Sequence, residues 1–302
     1  MNVEKTTIAL TLTEAVGLRI RAYFALVKVR LTSLVVFSAV FGYMMAPGIV
    51  GFDISTILWL VLGGFLVTGA SNTFNQVLEV EFDRQMTRTQ NRPLVKSIIS
   101  PLESVILGLA MGVAGIWILG WKFEGLVPAL LGIIALLSYA FVYTPMKRIS
   151  PIGVLIGAFP GAMPPLIGYA AATGGLGLEA WVLFLIQFIW QFPHFWAIGW
   201  VLDDDYKRAG FKMLPGNSGR SAYTASMVLI YTTLLIPASI LPWMIGMTGT
   251  VATILMVVSS LLFTWQAYHL LRARTIKSAS RLMFGSFLYL PVVQISLLVD
   301  KF

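Results

Sequence analysis

The feature that most constrains this chain is the recurrence, along its whole length, of apolar runs of about 20 residues. A helix of that length crosses a hydrocarbon core of about 30 Å. Since backbone groups in lipid must be hydrogen-bonded within the protein, repeated runs of this kind predict a helical bundle. The composition agrees, because 58% of the 302 residues are hydrophobic and only 11% are charged. We therefore predict an all-α integral membrane protein.

We predict about nine transmembrane helices. They cover roughly residues 24–46, 55–80, 101–121, 125–144, 152–172, 180–201, 222–245, 249–271 and 282–299. Residues 1–20 would form a short cytoplasmic segment, and residues 21–302 a single polytopic domain. The N-terminal segment contains no small-residue cleavage site, so we do not interpret it as a removable signal peptide.

Basic residues are concentrated in alternate loops. Of the 21 lysines and arginines, all except Lys122 and Lys301 fall on one side of the predicted bundle. The positive-inside rule then predicts a cytoplasmic N-terminus and, with an odd number of spans, an outer C-terminus in a cell inner (cytoplasmic) membrane. The same bias accounts for the net charge of +8 without a nucleic-acid partner.

The chain contains no cysteine, which excludes disulfides, thiolate catalysis and Cys-ligated metals. Any metal must therefore be bound by oxygen atoms or by His194 and His269, the two histidines. We interpret His269, near the end of the eighth span, as a boundary residue.

The second apolar span ends in a polar stripe. Asn75, Glu79 and Asp83 lie at positions i, i+4 and i+8, so a helix places them on one face, whereas Glu81 points elsewhere. Two carboxylates and an amide oxygen form half of an oxygen-ligand site for Mg²⁺, which takes water and substrate phosphate as its other ligands. Ionisable groups within a span are functional candidates by default. The stripe therefore predicts a metal site.

A basic stripe follows. Arg84, Arg88 and Arg92 are also at i, i+4 and i+8, with Lys96 beyond them. Guanidinium groups suit bidentate contacts with phosphate, so the acidic and basic stripes together favour a metal–diphosphate site. The alternative is that the two carboxylates simply form salt bridges with Arg84 or Arg88 at the membrane boundary.

A second acidic cluster follows the sixth span. Asp203, Asp204 and Asp205 cannot all face one way on a helix, and we expect Asp204 and Asp205 to share a ligand while Asp203 points away. The alternative is a solvated loop balanced by Lys207 and Arg208. Both acidic clusters are predicted at the same membrane face, where together they would close around two Mg²⁺ ions and one diphosphate.

Two further features lie within spans. His194 follows Pro193 among Phe and Trp residues, and such a histidine can ligate haem iron, act as a base or hydrogen-bond a carbonyl. We favour contact with a substrate. The fifth span holds Pro160, Pro164 and Pro165, which predict a broken helix lining a large pocket, a pattern also typical of transporters.

The motifs resemble the UbiA superfamily of membrane prenyltransferases and, within it, the haem O synthases (protohaem IX farnesyltransferases). The similarity covers most of residues 28–215. It is carried by five stretches: Lys28 to Phe37 (KVRLTSLVVF), Asn75 to Leu94 (NQVLEVEFDRQMTRTQNRPL), Tyr143 to Arg148 (YTPMKR), Gly157 to Tyr169 (GAFPGAMPPLIGY) and Gln191 to Pro215 (QFPHFWAIGWVLDDDYKRAGFKMLP). The last three spans match only in hydropathy.

The resemblance implies a role for each matching residue. The metal and farnesyl diphosphate would be bound by Asn75, Glu79, Asp83, Asp204 and Asp205. The phosphates would also be bound by Arg88, Arg92, Lys147 and Arg148. His194 would contact the haem. The implied reaction transfers a farnesyl group from farnesyl diphosphate to the vinyl group of protohaem IX (haem b), with Mg²⁺ as cofactor. The product, haem O, leads toward haem A for terminal oxidases. Implied partners besides the lipid bilayer are haem A synthase or oxidase assembly factors.

Three other functions fit parts of the sequence. A quinone-type aromatic prenyltransferase would share the acidic motifs, but the Pro193-His194 pair and the Asn91-Arg92-Pro93 run favour a haem substrate. A secondary transporter would explain a broken helix and buried acids, but not a basic stripe beside an acidic one. A non-catalytic haem-binding scaffold would need no diphosphate site.

Overall fold

The computed structural model describes residues 12–49, 53–216 and 219–302. These residues form thirteen α-helices and one π-helical segment. The α-helices are α1 (Leu12–Val27), α2 (Val29–Met45), α3 (Ile54–Asp83), α4 (Pro101–Trp121), α5 (Val127–Leu137), α6 (Thr144–Ile149), α7 (Gly153–Thr173), α8 (Leu178–Val201), α9 (Asp203–Arg208), α10 (Ala222–Ala238), α11 (Leu241–Met244), α12 (Thr250–Ala273) and α13 (Ile276–Val299), with the π-helix Ser138–Tyr143 between α5 and α6. Within the described ranges the only β pairing is an isolated bridge between Thr248 and Lys301.

The described residues contain eight helices that are long and apolar enough to cross a membrane. A ninth crossing results if α1 and α2, which meet at an angle of 43°, count as one bent span. The predicted all-α membrane fold with about nine spans is therefore confirmed. Large apolar side chains such as Val113 and Trp117 are more than half exposed, which suits a surface in contact with lipid.

The N-terminal region differs in detail from the prediction. The cytoplasmic location expected for residues 1–20 stays a prediction, and the first span was expected at residues 24–46. Instead α1 already begins at Leu12, and the chain turns at Lys28, whose φ of 52° lies in the left-handed region, before α2 begins. Residues 1–11 lie outside the described part of the chain. A local backbone break of this kind leaves little trace in hydropathy, because the residues on both sides of it are apolar.

The packing encloses α7 and α8 among the other helices. α3 packs on α4, α2 on α7, α7 on α8, and α8 on both α10 and α13. α2 and α7 approach so closely that a Cβ on Gly168 would lie 1.7 Å from the carbonyl oxygen of Ala39, and one on Gly42 would lie 2.1 Å from that of Pro165. Only glycine fits at these two positions, since the opposing atoms are backbone.

The fifth predicted span is not broken. α7 runs without interruption from Gly153 to Thr173 although Pro160, Pro164 and Pro165 lie inside it. Pro165 has no N–H to donate to the carbonyl oxygen of Gly161, and Gln187 of α8 donates to that oxygen at 2.8 Å instead. The prediction of a broken helix was wrong, because α7 continues past all three prolines, and at Pro165 a neighbouring side chain satisfies the freed carbonyl.

The end of the chain closes the bundle against its beginning. Gln294 of α13 donates to Ser38 of α2 at 2.9 Å. The ammonium group of Lys301 donates to the carbonyl oxygens of Met44 and Ala46, both at 2.7 Å, where the last turn of α2 leaves carbonyls without helical partners. The first and last spans are thereby held together.

Candidate active site

The polar face of α3 points into the protein. Asn75, Glu79 and Asp83 are 2%, 4% and 1% exposed, in agreement with their predicted common face. Glu81 lies on the surface and pairs with Arg84 at 3.0 Å, as its position on the helix requires. Burial of three such side chains in a membrane protein is costly unless each has a polar partner or a ligand.

Asn75 links three parts of the chain. Its amide nitrogen donates to the Thr144 hydroxyl at 3.0 Å, and its amide oxygen accepts from the Lys28 ammonium group at 3.3 Å. Thr144 begins α6, and Lys28 lies at the break between α1 and α2. The amide therefore fixes the position of a basic residue beside the acidic stripe.

Two more amides of α3 explain why the chain can break at Lys28. The end of α1 leaves carbonyl oxygens without helical partners. Gln76 donates to the Leu26 carbonyl at 2.5 Å, and Asn72 donates to the Val27 carbonyl at 3.4 Å and to the Thr32 hydroxyl at 3.2 Å. These contacts stabilise the break and direct Lys28 toward Asn75.

The π-helix between α5 and α6 shapes the opposite side of the site. Its last turn brings Thr144 within reach of Asn75, and the Thr144 hydroxyl donates to the carbonyl oxygen of Tyr139 at 2.9 Å. Pro145 follows directly and has no N–H for a helical hydrogen bond. π-helical turns occur frequently at functional sites, where the extra residue re-aims neighbouring side chains.

Each buried carboxylate of α3 forms an ion pair. Glu79 pairs with Lys147 of α6, and Asp83 pairs with Arg92. The salt-bridge alternative had named Arg84 or Arg88 as partners, which is wrong. Lys147 is itself held in place by a hydrogen bond of 2.8 Å from the backbone N–H of Lys212 to its carbonyl oxygen.

The loop after α3 is not the helical basic stripe that the spacing suggested. α3 ends at Asp83, whose carbonyl oxygen accepts a hydrogen bond of 2.9 Å from the Thr89 hydroxyl, and a series of turns follows. Pro93 disfavours a helical conformation at Arg92, and the Arg92 side chain forms an ion pair with Asp83. Arg88 is exposed and lies over the Tyr206 ring at 5.9 Å.

The second acidic cluster reaches this loop through Asp205 of α9. Its two carboxylate oxygens accept hydrogen bonds from the backbone N–H groups of Thr87, at 3.3 Å, and Arg88, at 3.2 Å. Arg208 pairs with the same carboxylate and donates to the Thr87 hydroxyl at 2.9 Å. Although burial opposes the effect, the amides of Arg88 and Thr87 hold the pKa of Asp205 below its usual value.

The other two aspartates are placed differently from the expectation. Asp203, predicted to point away, is buried and pairs with Lys207 at 2.6 Å. The Asp204 side chain is 73% exposed and pairs with Arg220 at 3.0 Å. α9 begins only at Asp203, after a turn at Leu202, so the orientation of these side chains could not be extrapolated from α8. The structure thus brings Asp205, but not Asp204, to the loop that follows α3.

In the described part of the chain, no three His, Asp or Glu side chains converge closely enough to hold a metal ion. The site nevertheless has a free ligand atom, since Asp83 Oδ1 is buried without a hydrogen-bond partner. With Lys28, Arg92 and Lys147 against Glu79 and Asp83, the basic side chains outnumber the acidic ones. An excess of donors around a buried carboxylate suits an anionic ligand together with a cation.

The remaining predicted phosphate ligand lies beside the cluster. Arg148 stacks over the Phe82 ring at 3.9 Å and makes no ion pair with the described residues. Lys147, in contrast, lies between the Tyr143 ring at 5.2 Å and the Phe211 ring at 4.9 Å. Both basic side chains of α6 therefore contact aromatic rings.

His194 lies in α8 and precedes the three aspartates in the sequence. Its Nδ1 is 2.8 Å from the Ser286 hydroxyl of α13, and its ring stacks on Trp190 at 4.5 Å between centroids. The ring is partly buried. The structure does not bring His194 into contact with the acidic clusters.

Comparison with known proteins identifies the family. The model of the UbiA prenyltransferase family matches residues 35–290. The chain belongs to the UbiA prenyltransferase family. A protoheme IX farnesyltransferase of Cytophaga hutchinsonii is 47% identical over 93% of this chain and 98% of its own length. The enzyme of that name from Flavobacterium johnsoniae is 42% identical over 91% of this chain and 92% of its own length.

Solved structures share the fold of this chain. A digeranylgeranylglyceryl phosphate synthase superposes with a TM-score of 0.77 at 20% identity, covering 93% of this chain and 98% of the other. A UbiA homologue from Archaeoglobus fulgidus, bound to GPP and Mg²⁺, has a TM-score of 0.68 at 14% identity and covers 91% of this chain and 99% of its own. At these identities the likeness concerns the fold. Family membership favours a transferase over the transporter that the sequence left open.

Several residues that make polar contacts at this site were not predicted from the sequence. Lys28, Asn72, Gln76 and Thr144 all make polar contacts at the site, yet none was selected as a candidate. Asn72 and Gln76 carried a usable signal, because they lie one turn or less from Asn75 inside an apolar span, where amides are rare. Lys28 and Thr144 gave none, since the break and the π-helix that position them depend on tertiary contacts.

Proposed function

We propose that this chain transfers the farnesyl group of farnesyl diphosphate to the vinyl group of protohaem IX and that one water molecule adds to the neighbouring vinyl carbon with loss of a proton, giving haem O and diphosphate. The supporting observation is the buried set of alternating acids and bases formed by α3, α6 and the Lys28 break, in a chain so similar to proteins named protoheme IX farnesyltransferase. Such a set has the charge and the donors that a diphosphate ester needs. Arginine and lysine side chains are common binders of phosphate oxygens in proteins.

The basic residues would bind the leaving group. Lys147 and Arg92 each have an acidic partner now, and a diphosphate offers them a ligand of higher charge. Lys28 is held beside them by Asn75. Cations fixed in an apolar site stabilise the negative charge that builds on the departing diphosphate more strongly than they would in water. Arg88 would bind the same group through the loop that Asp205 holds in place.

The acidic residues fit a divalent cation. Asp83 Oδ1 is a buried oxygen without a partner, and Glu79 would gain free oxygens when Lys147 turns to phosphate. We propose that Asp83, Glu79 and Asn75 hold Mg²⁺, with Asp205 at the facing loop, and that Asp204 does not take part. When bound, the ion would supply Lewis-acid stabilisation of the leaving diphosphate.

The surrounding side chains would exclude water from the allylic cation. Tyr143 and Phe211 flank Lys147, and Phe82 lies under Arg148. His194 would contact the haem on the α8–α13 side of the bundle. We further propose that the enzyme lies in the cell inner membrane with its N-terminus and this site at the cytoplasmic face, as the distribution of basic loops indicates.

The test is a haem extraction from bacterial cells that express the chain and lack any other haem-modifying prenyltransferase. Liquid chromatography and mass spectrometry of the extract should show a haem carrying a farnesyl chain and one added water. Cells with the empty vector serve as control and should contain protohaem only. A prenylated phenolic acid with unmodified haem would contradict the proposal and indicate a quinone-type prenyltransferase.

A further inference from the structure

Ser286 makes a contact that none of the roles described above explains. It is fully buried in the middle of α13, and its hydroxyl lies 2.8 Å from Nδ1 of His194 on the neighbouring helix α8. The same hydroxyl lies 2.6 Å from the carbonyl oxygen of Met283, one turn earlier in α13. A serine hydroxyl carries a single proton, so the two contacts cannot both be donated by Ser286.

The two contacts together determine where the protons lie. The Met283 carbonyl oxygen can only accept, so at 2.6 Å it must receive the Ser286 proton. The Ser286 oxygen then accepts from His194, which places the imidazole proton on Nδ1. In the neutral imidazole the lone pair is therefore on Nε2, which makes no hydrogen bond with the described residues.

The ring is also fixed in its plane. Trp190, one turn before His194, stacks on the imidazole with an angle of 21° between the ring planes, and its indole N–H donates to the carbonyl oxygen of Ser286 at 3.0 Å. Phe287 packs edge-on against the imidazole ring of His194, with 5.2 Å between the ring centroids. Ser286 thus holds Trp190 by its carbonyl and His194 by its hydroxyl. These contacts fix the orientation of the His194 ring and therefore the direction in which Nε2 points.

We propose that Ser286 is a positioning residue that selects the Nδ1–H tautomer of His194 and presents Nε2 as an axial ligand to the iron of the haem substrate. This inference rests on the proposed function, because it takes haem as the substrate. Histidines that bind metal through one nitrogen generally donate the other N–H to an acceptor, which orients the ring and raises its basicity. Here a serine oxygen, itself fixed by Met283, is that acceptor.

The test uses the full-length protein in lipid nanodiscs, titrated with haem b and reduced to the ferrous state. Resonance Raman spectroscopy reports the iron–histidine stretch, and absorption titration gives the haem Kd. The variants are Ser286→Ala, Ser286→Thr and His194→Ala. Ser296→Ala is the matched control, because Ser296 is a buried serine of the same helix whose hydroxyl donates only to its own helix, at 2.8 Å to Val292.

We expect an iron–histidine band in the wild type that is absent from His194→Ala. Ser286→Ala should shift the band to lower frequency, because the ligand loses its acceptor, and should raise the haem Kd by about tenfold or more. Ser286→Thr should restore both, and Ser296→Ala should match the wild type. A band and Kd in Ser286→Ala equal to those of the wild type would overturn the inference, as would a band that survives in His194→Ala.

The failure of this inference can be told apart from that of the proposed function. Product analysis on the same samples, with farnesyl diphosphate and Mg²⁺ added, reports farnesyl transfer independently of the iron band. Farnesylated haem with an unchanged Ser286→Ala spectrum would remove the role of Ser286 alone. Absence of farnesylated haem from the wild type would remove the proposed function. Thermal unfolding of each variant shows whether a loss of haem binding follows from misfolding. If Ser286→Ala is unstable, Ser286→Cys carries the test, because a thiol of similar size is only a weak acceptor; it should lower the band frequency, and an unshifted band would overturn the inference.

Discussion

The carboxylate of Asp205 accepts a hydrogen bond of 3.2 Å from the backbone N–H of Arg88, and so joins α9 to the loop after α3. The contact involves the main chain of one loop, so it fixes where that loop lies irrespective of its side chains. It brings the two acidic regions of the sequence to the same end of the bundle.

Replacing Asp205 with Asn should release the loop that carries Arg88. Hydrogen bonds to a charged acceptor contribute about 1.5–3 kcal/mol each, so we expect the KM for farnesyl diphosphate to rise at least about tenfold. Steady-state kinetics of the purified protein would measure this. Asp204→Asn is the control, since that side chain is 73% exposed, and it should behave as the wild type. Equal effects of the two substitutions would refute the role of Asp205.

The contact also predicts a pH dependence. The pKa of Asp205 in the folded protein lies below its usual value despite some burial, because the amides of Arg88 and Thr87 favour the charged form. Its stabilisation is therefore complete above the unfolded pKa of about 3.9 and disappears as the pH falls through the lower folded value. Thermal unfolding of wild type and Asp205→Asn should differ by a constant amount from pH 7 to pH 5 and converge below about pH 4. A difference that vanishes near neutral pH would contradict this account.

Lys147→Met should destabilise the protein, because it leaves the Glu79 carboxylate buried without its cation. Removing one partner of a buried ion pair costs about 3–5 kcal/mol. The double variant Lys147→Met with Glu79→Gln should recover most of that stability but no activity, since both residues are expected to serve the diphosphate and the metal. Thermal unfolding in detergent and product assays give the two readouts. Recovery of activity in the double variant would show that the pair is only structural.

Gly168→Ala should destabilise the contact between α2 and α7. The added methyl group would lie 1.7 Å from the Ala39 carbonyl oxygen, and a backbone atom cannot move aside without shifting the helix. Overpacking of this kind costs about 1–3 kcal/mol or more. Gly175→Ala is the control, because an added Cβ there meets no atom within 4 Å. A melting temperature of Gly168→Ala equal to that of the control would contradict the packing described here.

Much of the fold could be predicted from the sequence, because hydropathy and helical spacing are local properties. The length of the apolar runs predicted the spans, and the i, i+4, i+8 spacing correctly placed Asn75, Glu79 and Asp83 on one buried face. The spacing argument failed for Arg88 and Arg92, because it extended a helix that ends at Asp83.

What could not be predicted depends on contacts between distant parts of the chain. Gln76 and Asn72 stabilise the break at Lys28, but hydropathy does not show that two amides of one span reach the end of another helix. Likewise, three consecutive aspartates give no indication of which one faces α3. α9 forms a new helix after Leu202, and only its orientation selects Asp205.

The central claim is that the buried stripe of α3 carries the chemistry, and the most direct measurement compares Glu79→Gln with Glu81→Gln. The two glutamates are two residues apart on the same helix, one buried and one exposed. With purified protein, farnesyl diphosphate, haem b and Mg²⁺, the initial rate of farnesylated haem formation is followed by mass spectrometry. We predict that Glu79→Gln lowers the rate by about 10²-fold or more, as expected for loss of a group that stabilises charge in the transition state, and that Glu81→Gln keeps the wild-type rate. A wild-type rate in Glu79→Gln would contradict the account.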